Sequence, residues 1–334
     1  MKRKLIAAFL LACCFVWLGF LSGAIPTSAE AEATSAEIPP APSPSGTPIP
    51  TDPVVADILE SPSPTINSEP SVDATPFPTT SPSGLSVIAT TITGDSLLDN
   101  NTYYEISPEE LLADEFILPL AADGYQILIL HTHTTEAYTP TEEESYEADD
   151  EYRTTDPDHS VIRVGEALAA ALEAYGLHVL HDTNIYDHPS YNGSYVRSGE
   201  AVEEYLAAYP GIKLVIDLHR DALGDDDVMY KTLADIDGLE AAQLMFVMGT
   251  DINLENPAWR DNLTLALTLH EAVAARYPTL MRPTVLCSSR YNQQLCPGSL
   301  LLEVGTSGNT LEEALTGVEL FAQIVGPILA SWVE

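Results

Sequence analysis

The sequence predicts an α/β domain: a mostly parallel sheet with helices packed on both faces. Two observations carry that expectation. Short apolar runs at residues 126–130, 178–181, 214–218, 243–248 and 300–304 have the length and composition of buried strands. Longer segments with apolar residues at helical spacing alternate with them, the order that gives parallel neighbours joined by helical crossovers. Three of the runs also end in residues that can ligate a metal. Residues 126–130 lead into His131-Thr-His-Thr-Thr-Glu136, residues 214–218 into His219-Arg220, and Leu300-Leu-Leu302 into Glu303.

The chain opens with Met1-Lys-Arg-Lys4, followed by 20 uncharged residues from Leu5 to Ala24. That is the length of a spanning helix, and the basic start places it on the cytoplasmic side with the rest of the chain outside. Residues 1–24 therefore read as a membrane anchor or signal segment. Residues 25–84 are rich in Pro, Ser and Thr and too poor in large apolar groups to offset chain entropy, so they read as a disordered linker. Residues 85–334 read as one globular domain that would carry any chemistry.

Within that domain Ser107-Pro-Glu-Glu-Leu111 starts a short capped helix. After the first strand comes an acidic loop (Glu142, Glu143, Glu144, Glu147, Asp149, Asp150, Glu151). A helix over residues 161–175 is closed by Gly176. Strand 178–181, helix 199–209 and strand 214–218 follow. Strand 243–248 precedes an amphipathic helix over 259–277, which ends before Pro278. Strand 300–304 leads into a closing helix over 310–332, with Pro327 its expected break.

Charge narrows the partners. The chain has 13 Lys and Arg against 50 Asp and Glu, a net −37. Such a surface repels phosphate backbones and anionic lipid head groups, which excludes nucleic acid and purely electrostatic membrane binding. Of the four cysteines, Cys287 and Cys296 lie where an extracytoplasmic disulfide would persist, and they read equally as a bridge or as two thiols.

Ligand sites in α/β sheets form at the carboxyl ends of parallel strands. The set His131, His133, Glu136 and His219, at two such ends, matches the His and carboxylate ligands of catalytic zinc. Either His131 or His133 supplies the first ligand. Asp217 or Asp221 would orient an imidazole, and Arg220 would hold a substrate carboxylate or an oxyanion. Glu303 emerges from a buried strand, where an ionised carboxylate is costly; it reads as the general base for a hydrolytic water, against the alternatives of capping the helix near Thr310 or pairing with Arg290. His159, His178, His181, His188 and His270 read as ordinary surface histidines. Asp225-Asp-Asp227 and the acidic loop lack the ligand spacing of a calcium loop and read as solvated charge. Residues 191–195 and 290–292 read as polar, aromatic rim loops suited to sugar or peptide.

HTHTTEAY at His131, RVGEALA at Arg163, HDTNIYDHPSYNGSY at His181, IDLHRDALGDDD at Ile216, RYNQ at Arg290 and LLLEVGTSGNTLEEA at Leu300 together resemble the stage II sporulation protein P family. The resemblance covers roughly residues 117–333. It implies a membrane-anchored, zinc-dependent N-acetylmuramoyl-L-alanine amidase with possible endopeptidase activity, acting on peptidoglycan during spore engulfment. It also implies a zinc-amidase-like (phosphorylase/hydrolase-like) fold. A sporulation lytic transglycosylase and a multi-pass membrane protein are the implied partners. By that likeness the first ligand falls on the His131/His133 motif, the later His on His219 and the catalytic carboxylate on Glu303. The position that usually holds the middle Glu is here occupied by His159 and Ser160, so Glu136 takes that role. The competing functions are a non-catalytic tethered wall-binding scaffold and a zinc carbohydrate deacetylase.

Overall fold

The structure, a computed structural model, describes residues 79–80, 86–142, 144–147, 152–225 and 227–334. The expected anchor, and all of the expected linker apart from Thr79–Thr80, lie outside the described residues.

A seven-stranded sheet organises the domain. Its strands are β3 (Leu98–Asn100), β4 (Ile127–Leu130), β5 (Val179–His181), β6 (Leu214–Asp221), β9 (Leu244–Gly249), β10 (Thr284–Cys287) and β11 (Ser299–Thr306), in the spatial order β3-β10-β9-β11-β6-β4-β5. Every neighbouring pair is parallel except β9 with β11. The sheet is therefore two parallel halves running in opposite directions, and β4, β6 and β11 end at the same edge. A second sheet, β1-β2-β7-β8, consists of β1 (Thr79–Thr80), β2 (Ser86–Thr90), β7 (Val228–Ile236) and β8 (Leu239–Ala242).

Strand alternation divides the core. Ile127, Ile129, Leu214, Ile216, Leu218, Leu300, Leu302 and Val304 pack on one face. The covering helices there are α2 (Val161–Glu173), α4 (Trp259–Arg276) and α5 (Leu311–Ser331). Leu128, Leu130 and Val215 point to the other face, against Ala201, Val202 and Tyr205 of α3 (Ser194–Ala208). Each fully buried Leu or Ile contributes about 1.5–3 kcal/mol, so both faces are firmly held. A short helix, α1 (Pro108–Leu111), is capped by Ser107, whose hydroxyl accepts from the Glu110 amide.

Several expectations shift. Helix α3 begins at Ser194 rather than residue 199, because Gly193 takes φ +84 and turns the chain directly into it. Helix α5 runs through Pro327; only its last turn follows, and Leu329 anchors that turn in the core. Among the described residues α5 alone is long and apolar enough to cross a membrane, and half of that stretch is buried in the fold. Cys287 and Cys296 are free, buried thiols in separate apolar clusters.

Candidate active site

The same alternation that builds the core places the chemistry. On β6 and β11 the residues facing α3 are Asp217, His219, Asp221 and Glu303, and Glu303 lies in register with His219. All four are buried.

The chain leaves β4 at Leu130 and turns tightly, the Glu136 amide donating to the His133 carbonyl. This turn separates the two histidines of the opening motif. His131 swings beneath α2: its Nδ1 lies 2.8 Å from the Leu218 carbonyl and its Nε2 lies 2.9 Å from Nε2 of His181. A carbonyl only accepts, so Nδ1 carries the proton. Nε2 is then the acceptor for His181, which turns the His131 ring away from Glu136 and toward α2. Burial, then the neighbouring His181, lowers His131 to about 3, which keeps it neutral.

His133 faces the other way. Its ring centroid lies 5.2 Å from that of His219. Tyr191 stacks on it at 4.5 Å and places its hydroxyl 3.0 Å from His133 Nε2. The Ser194 hydroxyl lies 3.4 Å from Nδ1. Burial lowers this ring to about 3 as well.

Glu136 Oε2 is 3.3 Å from His219 Nδ1 and accepts the Arg220 backbone N–H at 3.2 Å. Burial pushes this carboxyl up, but the His219 hydrogen bond and charge outweigh it and hold the carboxyl well below the ordinary range. His219 Nε2 stands 2.9 Å from Asp217 Oδ1, without the alignment of a hydrogen bond. Burial pulls His219 down, and the Asp217 and Glu136 carboxylates raise it well above its usual value. Asp217 is fixed in turn by the Thr132 amide at 2.8 Å and hydroxyl at 2.6 Å. It thereby ties the end of β4 to β6 beside the His219 ring.

Glu303 Oε2 has no hydrogen-bond partner. Burial, then the Asp221 charge, raises its carboxyl to about 8. Neither alternative role engages it. Thr310 and Glu313 form the capping box of α5, and Arg290 donates to the Glu255 carbonyl.

Arg220 does not face the centre as a substrate clamp. It is buried, and its guanidinium donates to the Ala137 carbonyl at 2.9 Å and the Tyr152 carbonyl at 3.3 Å. Asp221 pairs with the buried Arg282 at 2.7 Å rather than with an imidazole. His159 stays with Asp156, 2.9 Å away, outside the cluster. Arg153, a cation just after the acidic loop, is drawn in: it pairs with Asp187 at 2.9 Å, approaches Glu136 at 3.7 Å and lies over the Tyr191 ring at 4.8 Å. Asp187 and Tyr191 sit in HDTNIYDHPSYNGSY, so their signal was present in the motif. The signal for Arg153 was its sign amid acids.

Among the described residues no three His, Cys, Asp or Glu side chains stand in a ready metal-holding arrangement. The donor chemistry nonetheless fits zinc. Two ligands of one tetrahedral ion with bonds of about 2.1 Å lie roughly 3.4 Å apart, close to the 3.3 Å between Glu136 and His219. His133 stands beside this pair, with its Nε2 facing the Tyr191 hydroxyl.

The sequence model described as "Stage II sporulation protein P (SpoIIP)" matches residues 89–326. The chain belongs to the stage II sporulation protein P family. It is 32% identical over 208 residues to the stage II sporulation protein P of Bacillus subtilis (strain 168), a match covering 57% of this chain and 48% of that one. The family member described here thus spans about half the length of that relative. Among solved structures it resembles N-acetylmuramoyl-L-alanine amidase AmiC2 of Nostoc punctiforme, at 12% identity and a TM-score of 0.37, over 63% of this chain and 98% of that one. Ami1 of Mycobacterium smegmatis, another such amidase, gives 13%, 0.37, 64% and 98%. At those TM-scores the likeness has no bearing on the site.

Proposed function

We propose that this chain is a zinc-dependent peptidoglycan hydrolase. It cleaves the amide between N-acetylmuramic acid and the L-alanine of the stem peptide, with peptide cross-links as a second substrate, during spore engulfment. One observation carries the reading: His133, Glu136 and His219 gather from two strand ends beside Glu303, a buried carboxylate with an unengaged oxygen. Membership of a sporulation family supports the setting.

His133, Glu136 and His219 would hold the ion. When bound, it supplies Lewis acidity, polarising the amide carbonyl and easing deprotonation of water. Glu303, in its ionised form, takes the proton of the attacking water and returns it to the leaving nitrogen. Asp217 orients the His219 ring. Arg220 acts by position: its backbone N–H holds Glu136, and its guanidinium ties the turn at Ala137 to the loop at Tyr152. Residues 1–24 would anchor the chain in the membrane with this domain outside, and the partners would be those of the family.

Mass spectrometry of digested, purified sacculi tests the reaction. Free stem peptides are expected; released acetate would indicate a deacetylase instead. Glu303→Gln is expected to retain zinc after dialysis and lose at least about 100-fold in cleavage rate, whereas His219→Ala loses both. Undiminished cleavage by Glu303→Gln would remove that carboxylate from the mechanism.

A further inference from the structure

Away from the proposed hydrolytic centre, three aromatic rings in contact lead from the core to solvent. Trp259, at the first position of α4, is 5% exposed and packs in the main core. The Tyr104 ring stacks on it at 5.0 Å, with 25° between planes. Tyr103 leans on Tyr104 at 4.9 Å and is 74% exposed. The exposed Arg260 lies over Trp259 at 4.4 Å and Tyr104 at 5.9 Å.

The turn carrying these tyrosines is held rigidly. Asn100 donates to the Tyr104 carbonyl at 2.7 Å, and its own oxygen accepts from the Thr102 amide and hydroxyl at 3.0 and 2.7 Å. The Tyr104 hydroxyl donates to Asp251 at 2.7 Å. A ring fixed this way loses little freedom when a ligand covers it. Tyr103 touches Tyr104 on one side and otherwise stands open to water.

We infer that Tyr103, Tyr104, Arg260 and Asp251 form a second binding site, a platform for a neutral polysaccharide. A pyranose offers an apolar face of C–H bonds and a rim of hydroxyls. The first suits an exposed aromatic face, and the second suits the Arg260 guanidinium and the Asp251 carboxylate, each of which contacts Tyr104. The net charge of −37 argues against stacked nucleic-acid bases. An apolar peptide would need a groove, whereas Tyr103 stands proud of its surroundings.

Topology separates this platform from the hydrolytic centre. It follows the ends of β3 and β9, which run opposite to β11, so it lies beyond the edge where β11 begins. The centre lies toward the edge where β4, β6 and β11 end. A long polymer held at both would gain effective concentration at the centre. That the polysaccharide is the wall glycan rests on the proposed hydrolase function; the platform itself does not.

The test uses the full-length chain with chelator present, so that cleavage does not confound binding. Pelleting with purified sacculi gives the affinity, and saturation-transfer NMR with β-1,4-linked N-acetylglucosamine tetramer reports the contact. Tyr103→Ala is expected to weaken pelleting about ten-fold and abolish the transfer signal, while Tyr103→Phe, which keeps the ring, changes pelleting less than about two-fold. Pelleting and transfer unchanged in Tyr103→Ala would overturn the platform. If Tyr103→Ala weakens binding but the unmodified protein releases no stem peptides, the platform stands and the hydrolase reading falls; cleavage with unchanged binding gives the reverse.

Discussion

His131 and His133 differ by two positions and share a residue type, yet the structure turns them toward opposite partners. A partner 50 residues away decides it: His181 lies against the Nε2 of His131. No local pattern contains that information, so the sequence left the two open. Glu303 stood out more clearly, because it interrupts the apolar run Leu300-Leu-Leu302 and a buried ionisable group there requires a partner or a purpose. Arg220 looked like a substrate clamp from its neighbours, but its guanidinium is committed to backbone carbonyls that only folding brings near. The Tyr191 hydroxyl raises a further question at this scale, since it occupies the nitrogen that His133 would offer to an ion. Tyr191→Phe keeps the stacked ring and removes the competing hydrogen bond. Loss of about 1 kcal/mol of competition predicts roughly five-fold tighter zinc binding by calorimetric titration. Weaker binding would mean that the hydroxyl orients the imidazole instead.

Helix α2 is tied to the centre through a missing side chain. A Cβ at Gly165 would lie 2.6 Å from Cε1 and Nε2 of His131 and 2.7 Å from Nε2 of His181. The helix thus gives up about 1 kcal/mol of propensity at that position so that the histidine pair can nest against its backbone. Gly165→Ala should therefore destabilise the fold despite the better helix former. A net cost of about 1–3 kcal/mol lowers the calorimetric midpoint by roughly 5 °C; a raised midpoint would show that the pair yields freely. Elements of this kind were legible wherever periodicity was strong: β4, β6, β9, β11 and helices α2, α4 and α5 fall within a few residues of expectation. The β7–β8 hairpin escaped, although Asp237-Gly238 carries the signal of a two-residue turn, with φ of +56 and +86. Strand β10 escaped because four residues, Thr284–Cys287, show too little alternation to stand out. The antiparallel step between β9 and β11 is a tertiary choice with no local signature.

Stability of the whole molecule couples to pH through histidines kept neutral inside it. His270 on α4 is the clearest case, because it makes none of the contacts of the His133–Glu136–His219 cluster and burial alone lowers it, to about 4. Its Nδ1 lies 2.9 Å from the Thr284 hydroxyl at the start of β10, so the ring joins helix to sheet. Read as an ordinary surface histidine from the sequence, it is instead part of the core. The unfolded chain takes up a proton near the usual histidine pKa of about 6.5, while the folded chain refuses it until about pH 4. Stability from this group is therefore complete above about pH 7 and falls as pH drops through 6.5 toward 4. Between pH 7 and pH 5 the loss amounts to about 2 kcal/mol. His270→Gln removes the titration and retains a hydrogen-bonding amide for Thr284. Urea unfolding at the two pH values should then show a fall in stability about 2 kcal/mol smaller in the variant than in the parent. An equal fall in both proteins would assign the acid sensitivity to other groups, among which the His131–His181 pair beneath α2 is the next to test.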